Sequence, residues 1–268
     1  QRACTYLVDA CGAKDLAEYT RADALSYRDH LIAKGLVGSS VSRVISSIRA
    51  VFNFAISEYA LDLKNPFVGM YFDKSAGVSK RLPIPIEDIR KVQNQCRLID
   101  DDLRWLVAFV SDTGMRLAEG AGLLKSDIVL AADIPHISLK PHSWRPLKTS
   151  GSKRDIPLVG ASLWAAQRLS ESFPDSPYAF PRYNRRDTTN SNSASAALNK
   201  WLHQYVPVGC TMHSFRHSMR DRLRAVECPS DVIDQIGGWA TEGVGQGYGE
   251  GYQLEVCYRW MKTMHLFI

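Results

Sequence analysis

The second half of the chain contains five separated segments whose side chains could act on a phosphate. In chain order they are Thr113–Glu119, Lys148, His213–His217, Gly237–Trp239 and Tyr248. An arginine donates two parallel hydrogen bonds to a phosphate and stays charged at any relevant pH. A histidine or lysine can move a proton, and a tyrosine can attack once it is deprotonated. These residue types are the ones that chemistry at a phosphodiester requires.

Three simpler motifs in the same region are discounted. Asp112–Gly114 has the sequence of the aspartic protease triplet, but the chain has no second triplet with which to share a proton. His213 and His217 lie one helical turn apart, as in a zinc helix, yet the glutamate of that motif is missing. The glycines of Gly243–Gly251 do not form G-x-G-x-x-G and follow no predicted strand. The sequence therefore predicts neither a metal ion nor any other cofactor.

The five segments together resemble the tyrosine recombinase, or phage integrase, family. That family has T-G-x-R-x-x-E, a lysine in a β-hairpin, H-x-[LF]-R-H, and a tyrosine nine residues after a [GH]-[HW] position. Trp239 and Tyr248 have this separation, and the distance from His213 to Trp239 also fits the family. The resemblance extends over essentially the whole chain. It implies an enzyme that breaks and rejoins DNA strands through a 3′-phosphotyrosine intermediate.

The resemblance assigns a role to each catalytic candidate. Arg116 and Arg216 would clamp the nonbridging oxygens and stabilise the charge that builds in the transition state. Tyr248 would be the nucleophile. A tyrosine hydroxyl has a reference pKa of about 10, so it needs a base to remove its proton. His213 would be that base. Trp239 stands where most members have a second histidine, so it could donate a hydrogen bond but could not move a proton.

Three lysines compete for the role of general acid at the departing oxygen. Lys148 matches the family's hairpin lysine, Lys153 is the alternative, and Lys140 is a more distant one. Glu119 would act indirectly, by orienting a neighbouring arginine or histidine. Tyr252 is the alternative nucleophile, although its apolar surroundings favour a role as a packing anchor. The apolar residues after it would dock either on their own domain or on a neighbouring protomer.

Periodicity predicts the elements that carry these residues. Thr20 is predicted to cap a helix over residues 21–34, and Ser39–Ser40 to cap a second helix. A basic, proline-containing linker follows. We therefore predict a helical core-binding domain over residues 1–78 and a mixed α/β catalytic domain over 79–268.

The predicted catalytic domain is mainly helical, with a small β-sheet. Helices are expected at 86–97 and 101–113, a β region at 134–158 with its turn at Ser150–Lys153, and further helices from residue 160. The family implies that the two domains together form a clamp around duplex DNA.

The net charge of +5 fits a polyanionic partner without proving one. The predicted partner is double-stranded DNA, bound by dimers that pair into a homotetramer. The candidate DNA-contacting residues are Arg43, Arg49, Arg182, Arg185 and Arg186. No membrane-spanning stretch is expected, and the scattered cysteines favour a reducing compartment, such as the cytoplasm around a bacterial nucleoid. Two alternatives stay open: a type IB topoisomerase-like enzyme, and a non-cleaving DNA-binding regulator of the same fold.

Overall fold

The computed structural model describes residues 1–78, 82–185, 188–239 and 251–266. The chain divides into two compact units, residues 1–80 and 81–268. Both are built mainly from helices, and the second also holds a small antiparallel sheet, so the predicted fold class is confirmed. Within the described residues, every helix is too short or too polar to cross a lipid bilayer.

The first unit is a small helical bundle. Its helices are α1 (Arg2–Cys11), α2 (Arg21–Ala33) and α3 (Gly38–Glu58). Thr20 caps α2 as predicted, because its hydroxyl accepts a hydrogen bond from the Asp23 amide at 3.3 Å. The bundle closes around one apolar core made of Leu7, Ala24, Tyr27, Leu31, Val41, Ile45, Ile48, Phe52 and Phe67.

The predicted start of α3 is wrong. The helix begins at Gly38, with Val37 as its N-cap, so Ser39 and Ser40 lie inside its first turn. The reason is a contact from far along the chain: the Gly38 amide donates to the Ala76 carbonyl at 2.7 Å. A glycine is required there, since a Cβ atom would lie 2.2 Å from the carbonyl oxygen of Asp73. The backbone of the later segment thus replaces a side-chain cap.

The second unit packs its helices around a central, almost fully buried one. Its helices are α4 (Ile86–Ile99), α5 (Asp102–Thr113), α6 (Leu117–Ala121), α7 (Gly160–Ser170), α8 (Ser191–Leu202), α9 (Ser214–Ala225), α10 (Ser230–Gly237) and α11 (Leu254–Met264). Helix α5 is the central one, and it is buried from Leu106 to its last residue. It packs against α4, α7 and α9, and over its last two turns no residue of α5 faces solvent.

Two of the three strands of the main sheet lie in the predicted β region, and the first strand precedes it. Strands β1 (Ile128–Val129), β2 (His136–Leu139) and β3 (Arg154–Pro157) form an antiparallel meander. The predicted turn is instead a short 3-10 helix over Ser150–Ser152. A second, two-stranded sheet of β4 (Asn184–Arg185) and β5 (Thr188–Thr189) is absent from the sequence prediction. Its strands are too short to show a period of two.

Asp112, from the discounted protease triplet, has a structural role. Its carboxylate accepts from Arg222 Nη2 at 2.8 Å, from Gln93 at 3.0 Å and from the Ala161 amide at 2.8 Å. Arg222 also donates to the Met264 carbonyl at the end of α11. The pair therefore joins the three helices α5, α9 and α11 inside the core, and α11 docks on its own protomer.

Candidate active site

The first candidate arginine lies at a sharp turn between two helices. Gly114 ends α5 with φ +56°, and a Cβ atom there would approach the Met219 sulfur to 2.4 Å, so glycine is required. Arg116 is the N-cap of α6. Its amide donates to Glu119 Oε2 at 2.9 Å, and its Nη1 donates to Glu119 Oε1 at 2.5 Å. The T-G-x-R-x-x-E spacing thus encodes a turn in which Glu119 orients Arg116.

Glu119 is buried and ionised among cations. Burial by itself raises the pKa of Glu119, but the charges of Arg154 and Arg116 and the hydrogen bond from the Arg116 amide outweigh it. The pKa of this carboxyl is therefore held below its usual range. Arg154 Nη2 lies 3.3 Å from Glu119 Oε2. Of the two partners expected for Glu119, the structure shows Arg116, and it adds Arg154.

The second candidate arginine is almost completely buried. Arg216 lies in the first turn of α9, where only 3% of its surface is exposed, and its Nη1 donates to the Gly114 carbonyl at 2.9 Å. Its Nη2 has no hydrogen-bond acceptor among the residues that the structure describes. Burial, together with the charges of Arg116 and Arg154, lowers the pKa of Arg216 to about 9. An anion bound here would satisfy Nη2 and relieve the repulsion.

The histidine of the same motif lies at the start of α9. His213 is the N-cap residue of the helix, and its ring packs edge-on against His217 with centroids 5.3 Å apart. His213 therefore precedes Arg216 by one turn and shares its end of the helix. His217 is exposed on the neighbouring surface.

Trp239 joins this cluster through its ring face. The Arg216 guanidinium lies 4.1 Å from the ring centroid, and that of Arg220 lies 4.9 Å from it. Arg220 is also paired with Asp234 at 3.0 Å. Gly238 turns the chain with φ +61°. The indole therefore lies against two cations, a cation–π arrangement, rather than only in the apolar core. Sequence reasoning missed Arg220, although its position four residues after Arg216 on a helix is a usable signal.

The lysine candidates lie on or beside the connection between β2 and β3. Lys148 and Lys153 are both exposed, whereas Lys140 lies 3.7 Å from Asp127. The residue after Lys148 is tied to the arginine site, since the Thr149 and Ser152 hydroxyls are 2.9 Å apart and Ser152 Oγ accepts from Arg116 Nη1 at 3.0 Å. Lys148 precedes Thr149 and Lys153 follows Ser152, so both lysines are adjacent to this chain of hydrogen bonds, and the choice of Lys148 stays a prediction.

The nucleophile candidate Tyr248 lies outside the described residues. The alternative, Tyr252, is held by hydrogen bonds: its backbone N–H and carbonyl both pair with the Gln235 side chain at 2.7 Å, and its hydroxyl donates to Asp231. The prediction of an apolar packing anchor is therefore wrong, because 39% of Tyr252 is exposed and polar partners hold it. The bond to Asp231 raises the pKa of Tyr252, which makes it a poorer nucleophile.

The candidate DNA-contacting arginines have different surroundings. All four that the structure describes are exposed to solvent: Arg43, Arg49, Arg182 and Arg185. Arg182 forms an ion pair with Asp102 at 2.8 Å. Arg182 and Arg185 line a surface cavity of about 330 Å³ at the start of α8. Arg186 lies outside the described residues.

Comparison with known proteins identifies the family. Residues 86–250 match the Phage integrase family. No curated protein matches the chain. The fold resembles the Tn1549 transposon integrase in complex with circular intermediate DNA, with 18% identity, a TM-score of 0.65, and coverage of 97% of this chain and 91% of that one. It also resembles a lambda integrase dimer bound to a COC′ core site, with 13% identity, a TM-score of 0.63, and coverage of 98% and 86%.

A lambda integrase tetramer bound to a Holliday junction gives a similar result, with 14% identity, a TM-score of 0.63, and coverage of 92% of this chain and 69% of that one. At these identities the structural likenesses establish the fold, and the family match covers more than half of the chain. As its motifs predict, the chain therefore belongs to the phage integrase family of tyrosine recombinases.

Proposed function

We propose that this tyrosine recombinase breaks and rejoins DNA at a specific site through a 3′-phosphotyrosine on Tyr248. One observation carries the assignment of the site. Arg116 and Arg216 converge around Glu119, and the buried Arg216 still has a donor without an acceptor among the described residues. A buried cation with an unused donor is suited to an anionic ligand, and the scissile phosphate has the required charge.

In the proposed reaction, Tyr248 Oη attacks the phosphorus while His213 accepts its proton. The bond from phosphorus to the 5′ oxygen breaks, and Lys148 gives that oxygen a proton. Arg116 and Arg216 stabilise the charge that develops on the nonbridging oxygens, and Trp239 holds Arg216 through its ring face. A 5′-hydroxyl from a partner strand then reverses the step. The phosphotyrosine conserves the energy of the phosphodiester bond, so no nucleotide is consumed.

Double-stranded DNA is the proposed substrate. The Tn1549 and lambda integrases that share the fold were solved in complex with DNA, and the lambda integrase as a dimer and a tetramer. By analogy we propose that this protein binds each site as a dimer and pairs two sites in a tetramer. It would then act where the DNA is, in the cytoplasm at a bacterial nucleoid. The proposed contacts to the DNA phosphate backbone are Arg43, Arg49, Arg182, Arg185 and Arg186.

The proposal is tested by covalent capture. A binding site is selected from a random duplex library, a nick is placed beside the scissile phosphate so that the cut strand diffuses away, and the products are separated under denaturing conditions. A protein–DNA adduct that transfers its strand to a second duplex supports the proposal. Relaxation of supercoiled DNA without transfer would indicate a topoisomerase-like enzyme. Binding without an adduct would indicate a regulator, and either result would contradict the proposal.

A further inference from the structure

Arg154, on strand β3, is a buried arginine with no role in the sequence prediction. Its side chain is only 4% exposed, and each of its three nitrogens donates to a different acceptor. Nε donates to the Ile236 carbonyl at 2.8 Å, and Nη1 to the Ser152 carbonyl at 2.7 Å. Nη2 donates to Glu119 Oε2 at 3.3 Å. Three hydrogen bonds to separate parts of the chain therefore fix the guanidinium of Arg154 in place.

The three acceptors belong to three of the segments that carry the proposed catalytic groups. Glu119 orients Arg116 on α6. Ser152 lies in the β2–β3 connection that also holds Lys148 and Lys153, and its hydroxyl accepts from Arg116. Ile236 lies near the end of α10, just before the turn that leads to Trp239. One guanidinium thus links all three segments.

The end of α10 packs so closely against the Arg154 side chain that a side chain at Gly238 would not fit. A Cβ atom at Gly238 would lie 2.7 Å from Arg154 Nη1 and 2.9 Å from its Cζ. Gly238 also has φ +61°, a conformation that favours glycine. The glycine before Trp239 therefore lets the backbone pass close to the guanidinium of Arg154.

We infer that Arg154 is a positioning residue that sets Arg116, the Lys148 connection and Trp239 in register and keeps the Glu119 carboxylate charged. The inference rests on the proposed function, because it concerns the same site. The charged groups that face Glu119 in the described residues are Arg116, Arg154, Arg216 and Arg145. The charge of Arg154, together with the hydrogen bonds and charge of Arg116, holds the pKa of Glu119 below its usual range.

The test compares Arg154→Met, which removes the charge at similar volume, with Arg154→Lys, which keeps it. Without Arg154, burial should raise the pKa of Glu119, so the carboxylate is lost as the pH falls. Single-turnover cleavage by Arg154→Met should then drop about 100-fold near pH 6.5 and recover in part near pH 9, with DNA affinity within about threefold of wild type. Arg154→Lys should lose at least about tenfold in rate at every pH, because it cannot make all three bonds.

Two controls separate positioning from general stability. Arg222→Lys changes another buried arginine that contacts neither Glu119, Ser152 nor Ile236, and it should keep the wild-type pH profile. Adding Glu119→Gln to Arg154→Met should abolish the fall in cleavage rate at low pH, because glutamine does not titrate. A wild-type rate in either Arg154 variant, or a loss in Arg154→Met that is equal at all pH values, would overturn the inference. If wild-type protein itself forms no adduct, the proposed function fails instead.

Discussion

Two buried arginines on helix α9 lead to opposite predictions about stability. Arg216 is 3% exposed and Arg222 is 4% exposed, yet within the part of the chain that the structure describes only Arg222 forms an ion pair with a carboxylate. The charges of Arg116 and Arg154 act against the charged form of Arg216, and the more favourable charge of Glu119 does not outweigh them and burial. Replacing Arg222 by methionine should therefore destabilise the protein, whereas Arg216→Met should leave it as stable or make it more stable. The defect of Arg216→Met should appear only as a lower rate of DNA cleavage.

The expected change in the free energy of unfolding follows from the surroundings of each side chain. A pKa of about 9 for Arg216 corresponds to about 5 kcal/mol against its charged form, at about 1.4 kcal/mol per pH unit. The hydrogen bond to the Gly114 carbonyl offsets about 2 kcal/mol and the contact with Trp239 about 1–2 kcal/mol. Arg216 thus costs about 1–2 kcal/mol in the free protein. Breaking the buried pair of Arg222 with Asp112 should cost about 3–5 kcal/mol.

The assay is thermal unfolding of the free protein at neutral pH. Folding lowers the pKa of Arg216. The free-energy cost of burying its charge is therefore present in full below about pH 9, and it disappears only when the pH approaches the ordinary pKa of arginine. Arg216→Met should raise Tm by up to about 6 °C, and Arg222→Met should lower it by about 8–15 °C. A fall of more than about 4 °C in Arg216→Met would refute the reasoning, since it would mean that Arg216 is well paired without DNA.

Three further predictions concern the reaction. Lys148→Ala should slow cleavage by at least about 100-fold, and a substrate whose 5′ bridging oxygen is replaced by sulfur should restore the rate, because that leaving group needs no proton; rescue of Lys153→Ala instead would transfer the role. Tyr252→Phe should keep the covalent adduct, because Asp231 holds its hydroxyl, and loss of the adduct in this variant alone would make Tyr252 the nucleophile. DNA affinity should fall at least about tenfold between about 50 and 200 mM salt, and a change below about threefold would contradict a clamp that neutralises many phosphates.

Local spacing explains what the sequence could predict. The capping turn from Arg116 to Glu119 spans four residues, so its geometry is visible in the motif itself. The same holds for α2, whose cap and apolar positions lie within one short stretch. The family motifs are informative because each encodes one such local arrangement.

Long-range contacts explain what the sequence could not predict. Arg154 meets Glu119 and Ile236 across 35 and 82 positions, and the start of α3 depends on the Ala76 carbonyl. Arg154 leaves one signal in the sequence: the two-residue alternation of a strand places it on the same face as Ile156. A charged residue on such an apolar face requires a partner. Tyr252 leaves none, because it lies before α11 while its partners Asp231 and Gln235 belong to α10.

The most direct test of the proposed chemistry is to identify the residue that carries the DNA. Wild-type protein is trapped on a nicked site, the adduct is digested with protease and nuclease, and the modified peptide is sequenced by mass spectrometry. The phosphate should be found on Tyr248, joined to a 3′ nucleotide, and the adduct should be absent from Tyr248→Phe. A phosphate on any other residue, or an adduct that persists in Tyr248→Phe, would contradict the account.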